Sequence, residues 1–201
     1  RGEDQGTAHE HPMTGKAIIV SAPSGAGKTS IVKHLLATFP RLSFSVSACS
    51  RPRRENEIHQ KDYYFLSADE FCEKIGHGDF VEWEEVYQGS YYGTLKSELQ
   101  RIWDEGRVPI FDVDVKGGLS LKRYFGDDAL AIYVQPPSLE VLEARLKNRG
   151  TESEETLGKR LARAEFELGF ANQSDLVILN ESLEIACSEA VDAITEFLRN
   201  E

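Results

Sequence analysis

The sequence predicts an α/β protein with a three-layer core, a mostly parallel sheet carrying helices on both faces. Two observations lead there. Short apolar or alternating runs of strand length alternate along the chain with longer runs whose apolar residues recur at helical spacing. Two stretches then break that rhythm. Residues 47–94 are polar, aromatic and turn-rich and predict a small mixed-sheet insertion; residues 149–173 are charged, with sparse apolar positions, and predict a helical lid. The core is therefore expected from residues 13–46, 95–148 and 174–201.

The core elements follow in order. AIIVS (17–21) is a strand entering a Gly-rich turn, and TSIVKHLLATF is a helix that stops at Pro40. SFSVSA (43–48) alternates as a strand does. Inside the insertion, DYYFL, FVEWEEV and SYYG are short strands around one helix, SADEFCEKI. Helix TLKSELQRIWDEG, strand VPIFDVDV (108–115) and helix KGGLSLKRYFG come next. ALAIYVQ (129–135) and DLVILN (175–180) are further strands, with SLEVLEARLKNRG and SLEIACSEAVDAITEFL as their helices.

Composition narrows the function. A chain of 201 residues with 40% hydrophobic and 28% charged residues has the makeup of a soluble globular domain. A formal net charge of -11 argues against a general nucleic-acid or membrane-surface binder, because either partner would repel it. No apolar run is long enough to cross a bilayer and no secretory signal opens the chain, so a cytoplasmic location is expected. Cys49, Cys72 and Cys187 show no metal-site spacing and read as small hydrophobes in a reducing compartment. The N-x-S matches at Asn172 and Asn180 read as chance without a secretory route. Residues 1–12 lack periodicity and precede the only methionine, Met13. They are expected to be a disordered tail or a remnant of expression.

APSGAGKT (22–29) matches the phosphate-loop pattern G-x-x-x-x-G-K-[ST] with Ala22 at the first glycine. A strand precedes it and a helix follows, as the motif requires. Ala22, Pro23, Ser24, Gly25, Ala26, Gly27, Lys28, Thr29 and Ser30 are thereby assigned to a nucleoside triphosphate. Backbone N–H groups would face the phosphates at a helix N-terminus. Lys28 would reach the terminal phosphates, and the Thr29 hydroxyl would ligate Mg²⁺. A Gly-rich turn that binds nothing is the bland alternative. It leaves the coincidence of strand, GKT and helix unexplained. The core is thus expected to be that of a P-loop NTPase.

A second anion site is suggested by Arg51, Arg53 and Arg54, three arginines within four residues of an acidic chain. A solvated basic loop is the usual fate of such a run. Beside a phosphate loop, Arg51 and Arg54 with Tyr63 suit the phosphate of an acceptor, since guanidinium forks bind phosphate oxygens bidentately. A GTPase fits less well: Asp114-Val-Lys-Gly117 and Asn172-Gln-Ser-Asp175 only echo its motifs. The second lacks the lysine that lines a guanine pocket. A small kinase needs two phosphate sites and a screen against water.

The chain from about Gly15 to its C-terminus resembles guanylate kinases in several motifs in the same order. These are the phosphate loop, SRPRRENEIHQKDYYF (50–65), EW (82–83) followed by YYGT (91–94), DVDVKG (112–117) and the spacing of Arg145, Arg149 and Arg160. The resemblance implies a phosphotransferase making ADP and GDP from ATP and GMP with Mg²⁺, tolerance for dGMP being open. Residues 47–94 would bind GMP. Glu82 would accept from guanine N1–H and the exocyclic amine, where adenine presents a lone pair. Thr94 would donate to O6. Tyr92 would join Arg51, Arg54 and Tyr63 on the phosphate, with Ser47 beside the base. Asp112 would help hold the guanine or, through water, Mg²⁺; Asp112 and Asp114 are expected on opposite faces of one strand. Arg145, Arg149 and Arg160, with Lys28 and Arg51, would meet the charge of the transferring phosphoryl group. Arg149 and Asn180 would flank the adenine.

Departures from the family pattern are Arg53 where proline is usual, Lys116 where glutamine is usual, and one extra residue near Gln88 and Gly89. A catalytic base is neither visible nor required, because the acceptor phosphate is already ionised at neutral pH. The five histidines form no motif. Two other readings stand beside the kinase. One is a non-catalytic module that binds phosphopeptides through Arg51, Arg54 and Tyr63; the other is a kinase for a different small acceptor. Monomer and homodimer are both compatible with the sequence.

Overall fold

The computed structural model describes residues 15–23, 25–148, 158, 162 and 165–199. Ser24, Arg149, Arg160, the 1–12 tail and most of the expected lid lie outside the described residues.

The core sheet has five parallel strands in the order β2-β7-β1-β8-β9. They are β1 (Ala17–Ser21), β2 (Leu42–Phe44), β7 (Val108–Val113), β8 (Ala129–Gln135) and β9 (Leu176–Leu179). Every residue of β1 is buried, as a central strand with two covered faces requires. Its side chains alternate between two cores. Ile18 and Val20 pack with Ile31, Val32 and Leu35 of α1 (Lys28–Thr38) and with Ala186, Ala190 and Ile194 of α6 (Leu183–Arg199). Ala17 and Ile19 pack with Leu99 of α3 (Lys96–Asp104) and with Leu121 and Phe125 of α4 (Val115–Phe125). The three expected layers are present.

The second sheet is mixed, in the order β4-β3-β6-β5. It contains β3 (Ala48–Cys49), β4 (Tyr64–Phe65), β5 (Phe80–Tyr87) and β6 (Ser90–Leu95). Only β3 and β4 run parallel. Its helix, α2 (Ala68–Gly76), opens with a capping box: Ser67 accepts from the Glu70 N–H and Glu70 accepts from the Ser67 N–H. Phe71 of α2 is fully buried and stacks on Phe80 and Tyr91, with ring centroids 4.3 and 5.4 Å apart. Tyr91 is therefore a packing residue. A further helix is α5 (Leu139–Asn148).

Two expectations are corrected. SFSVSA is not one strand. Residues 42–44 pair with β7 in the core, residues 48–49 pair in the second sheet, and Ser45–Val46 carry the chain between them. At the junction the Ser45 N–H still donates to Ile110 O of β7, and the Val46 N–H donates to the buried Glu98. Asp112 and Asp114 do not occupy opposite faces of one strand. The strand ends at Val113, and Asp114 is the N-cap of α4, accepting from the Gly117 N–H at 2.8 Å. Both carboxylates then border the same cleft. Around Gln88, Tyr87 pairs with Ser90 across a two-residue turn, where Gly89 takes φ +76°, and the strand has a bulge between Glu85 and Tyr87.

Candidate active site

The phosphate loop lies at the C-terminal end of the central strand, where an open α/β sheet presents its ligand crevice. Gly25 and Gly27 have φ of +89° and +93°, backbone that side chains rarely adopt. Gly27 is needed twice, because a Cβ there would meet the Asn180 amide nitrogen at 2.3 Å. The methyl of Ala22 is buried in the α1-side core, which explains how alanine is accepted at the first glycine position.

Lys28 leaves the first turn of α1 toward the end of β7. It donates to Val113 O at 2.6 Å and pairs with Asp112 at 2.7 Å. The Thr29 hydroxyl donates to the other Asp112 oxygen at 3.3 Å. Asp112 thus joins the side chains of Lys28 and Thr29. Ser30 follows on α1 and lines a separate groove with α6. Arg145 reaches the loop from α5 and donates to Ala26 O and Asn180 O at 3.4 and 3.1 Å. Asn180, expected beside adenine, is buried just past β9 with its amide on Ala26 O at 2.7 Å.

A cavity of about 260 Å³ opens beside Asp112 and is lined by Ser47, Tyr63, Glu82, Tyr92 and Asp114, among others. It unites most residues expected to hold GMP, drawn from β5, β6, β7 and the segments just before β3 and β4. Glu82 and Thr94 are directly cross-strand, and the Thr94 hydroxyl donates to Glu82 at 2.8 Å. Burial pushes the Glu82 carboxyl up to about 7, with Asp114 and Glu84 adding repulsion and Thr94 opposing the shift. Thr94 itself is buried, with its hydroxyl turned to Glu82. Lys116 on α4 pairs with Glu84 of β5 at 3.2 Å, tying the second sheet to the core at the rim.

At the opposite end of this cavity Arg51 lies over the Tyr63 ring, its guanidinium carbon 5.0 Å from the centroid, and Tyr63 meets Tyr92 edge to face. Glu57 grips Arg51 with both oxygens, at 2.5 and 2.7 Å, and accepts from the Arg54 N–H at 2.9 Å. The Arg51 hydrogen bond, followed by that from the Arg54 backbone, brings the Glu57 carboxyl down to about 2. Both terminal nitrogens of Arg51 are thereby engaged by Glu57, which holds the guanidinium in place beside Tyr63. Arg53 and Arg54 are exposed.

A family profile described as guanylate kinase matches residues 14–197. The chain belongs to the guanylate kinase family. Guanylate kinases of Bacteroides thetaiotaomicron and Porphyromonas gingivalis are 49% and 48% identical to it over 189 and 184 residues. Those matches cover 94% and 91% of this chain and 93% and 98% of the relatives. The crystal structure of guanylate kinase from Anaplasma phagocytophilum superposes with a TM-score of 0.65 at 27% identity, over 92% of this chain and 85% of that one.

Two carboxylates of this guanylate kinase family member escaped sequence reasoning. Glu57 sits three residues after Arg54, close enough to fold back on the pair, and the R-x-x-R-x-x-E spacing was its signal. Glu98 shares the buried face of α3 with Leu99 and Ile102, a carboxylate among apolar positions. It accepts from the Val46 N–H, the Tyr64 hydroxyl and Arg101. Burial pushes its carboxyl up, but these hydrogen bonds, led by Arg101, outweigh burial and hold it below the usual range.

Proposed function

We propose that the protein is a guanylate kinase that transfers the γ-phosphoryl group of ATP to GMP, giving ADP and GDP. Asp112 carries this reading: one carboxylate pairs with Lys28 of the phosphate loop and also borders the cavity containing Glu82 and Tyr63. A donor and an acceptor nucleotide placed at these two sites would meet there.

Each assignment follows from chemistry. ATP takes the loop from Ala22 to Ser30, with the Gly25 and Gly27 amides and Lys28 on its phosphates. The GMP phosphate takes Arg51 and Arg54, with the Tyr63 and Tyr92 hydroxyls as further donors. The guanine edge takes Glu82, with Thr94, Ser47 and Asp112 completing the pocket. Thr94 would turn from Glu82 to O6 when the base supplies the donors that Glu82 needs. A GMP phosphate oxygen then attacks the γ-phosphorus, a P–O bond forms, and the bond to the ADP oxygen breaks. No protein group has to remove a proton. Lys28, Arg51 and Arg145 hold the charge that spreads over the transferring group, and Arg149 and Arg160 are assigned the same task from a lid spanning residues 149–173. Residues 47–94 form the GMP-binding subdomain in this scheme, with the P-loop core on either side.

Thr29 and Asp112 suit Mg²⁺, since a hydroxyl and a carboxylate supply the hard oxygens that this ion prefers. Held by these two side chains, the ion would supply positive charge to offset that of the phosphates. The partners we assign are ATP and GMP, with dGMP as a related acceptor, and the reaction is placed in the cytoplasm. Among the described residues no helix is long and apolar enough to cross a membrane.

A coupled assay of ADP release tests the assignment. It should give high activity with GMP and little with AMP or dTMP; equal rates on all three would overturn the guanine pocket.

A further inference from the structure

We propose that Asn180 is a positioning residue for the phosphate loop, acting on the peptide between Ala26 and Gly27, and does not read the adenine base. The proposal rests on the assignment of the ATP phosphates to that loop.

A phosphate cradle works only if its peptides point their N–H groups inward and their carbonyls away. A carbonyl facing the anion would add a negative dipole end where a positive one is needed. Glycine-rich turns are the peptides most free to rotate, so orientation has to be imposed from outside. At Ala26–Gly27 it is imposed by two donors. The Asn180 amide donates to Ala26 O at 2.7 Å, and Arg145 donates to the same oxygen at 3.4 Å. Because the peptide is planar, fixing Ala26 O on that side fixes the Gly27 N–H on the other.

The two donors are themselves tied. Arg145 also donates to Asn180 O at 3.1 Å, and the Asn180 N–H donates to Gln135 O at 2.8 Å at the end of β8. Loop, β8, the segment after β9 and α5 thus share one node. The space is built for it: Gly27 presents only hydrogen where a Cβ would strike the Asn180 nitrogen.

The far side of the amide argues against base recognition. Asn180 is 4% exposed, and its side-chain oxygen is buried without a partner among the described residues. With that oxygen enclosed, the side chain has no free acceptor for the adenine amine in this arrangement. Leaving that acceptor unpaired has a cost, so the side chain is held here for its donor.

The test separates phosphate from base by using tripolyphosphate, which has no base. Asn180→Asp replaces the donor with an oxygen that repels Ala26 O, and Asn180→Ala removes it. In calorimetric titrations, the aspartate variant should lose roughly tenfold or more in affinity for ATP and for tripolyphosphate alike. The alanine variant should lose less, by one shared factor for both ligands, and GMP affinity should be unchanged in either. If the aspartate variant fails to fold, equal losses in the alanine variant carry the same conclusion. Weakened ATP binding with intact tripolyphosphate binding would show that Asn180 reads the base and would overturn the proposal. Unchanged binding of both ligands would overturn it too. If tripolyphosphate does not compete with ATP on the unaltered chain, the phosphate-loop assignment itself fails and this inference fails with it.

Discussion

If Glu82 reads guanine as proposed, two demands on it conflict at neutral pH. A buried carboxyl with a pKa raised to about 7 prefers its proton, yet guanine needs both oxygens as acceptors. Guanine binding therefore has to draw the proton off below pH 7 and finds it gone above. The KM for GMP should fall as pH rises from 6 to 8 and then level, while the KM for ATP should show no such step. Glu82→Gln should weaken GMP binding and abolish the step. Thr94→Val removes the hydrogen bond that favours the charged form, so it should move the midpoint upward. The arginine cluster divides in a similar way. Arg51 is held by Glu57 and packed on Tyr63, whereas Arg53 and Arg54 are both exposed, and Arg54 is grouped with Arg51 by the R-x-x-R spacing of the family resemblance. Truncating Arg53 should matter far less to GMP affinity than truncating Arg51 or Arg54, as measured by titration with GMP. Lys28→Ala should lower turnover by on the order of 10³-fold or more, because the phosphates lose their principal side-chain cation.

Helix α2 touches no expected ligand but shapes the floor of the acceptor sheet through Phe71, whose ring lies between Phe80 of β5 and Tyr91 of β6. Phe71→Ala should cost about 3–5 kcal/mol of stability. A thermal melt should register that loss, and GMP binding should suffer more than ATP binding. Elements with a strong local signature were legible in the sequence. The strand, glycines and helix of the phosphate loop, the 129–135 strand and the capped α2 all follow from residues close together in the chain. Readings that depended on tertiary partners were not. Nothing in SFSVSA tells that its two halves pair in different sheets, because both halves keep one alternation and the partners Ile110 and Glu98 lie far along the chain. The end of β7 was misplaced for a related reason, since an Asp following a strand pattern reads as one more strand residue until its bond to Gly117 makes it a cap. The placement of side chains was legible where a residue type has few uses, as for Lys28 beside Asp112 and Arg51 beside Tyr63. It was not for Asn180, whose amide serves backbone and base equally well in sequence.

The two sheets have to hold a fixed relation if donor and acceptor are to meet at Asp112, and Glu98 is placed to enforce it. Its carboxylate belongs to α3 of the core, yet it receives the N–H of Val46 at the crossing between sheets and the hydroxyl of Tyr64 on β4 of the second sheet. Arg101, bonded to Glu98 and to Glu105, supplies the counter-charge. Breaking a buried, paired charge on one side typically costs about 3 kcal/mol, on the order of 10 °C in melting temperature for a chain of this size. Glu98→Ala should show that loss. Its more specific mark should be kinetic: a raised KM for GMP with the KM for ATP nearly unchanged, because only the acceptor sheet loses an anchor. The pH dependence has a definite sign. The folded carboxyl titrates below its ordinary range, so its stabilisation is complete above the usual carboxylate pKa and is lost as pH falls through the lowered one. Acid unfolding of the unaltered protein should therefore steepen below the ordinary carboxylate range, and the Glu98→Gln variant should lose that portion of the acid transition. If that variant keeps both the acid transition and the KM for GMP, the two sheets are held by packing alone and Glu98 is no anchor.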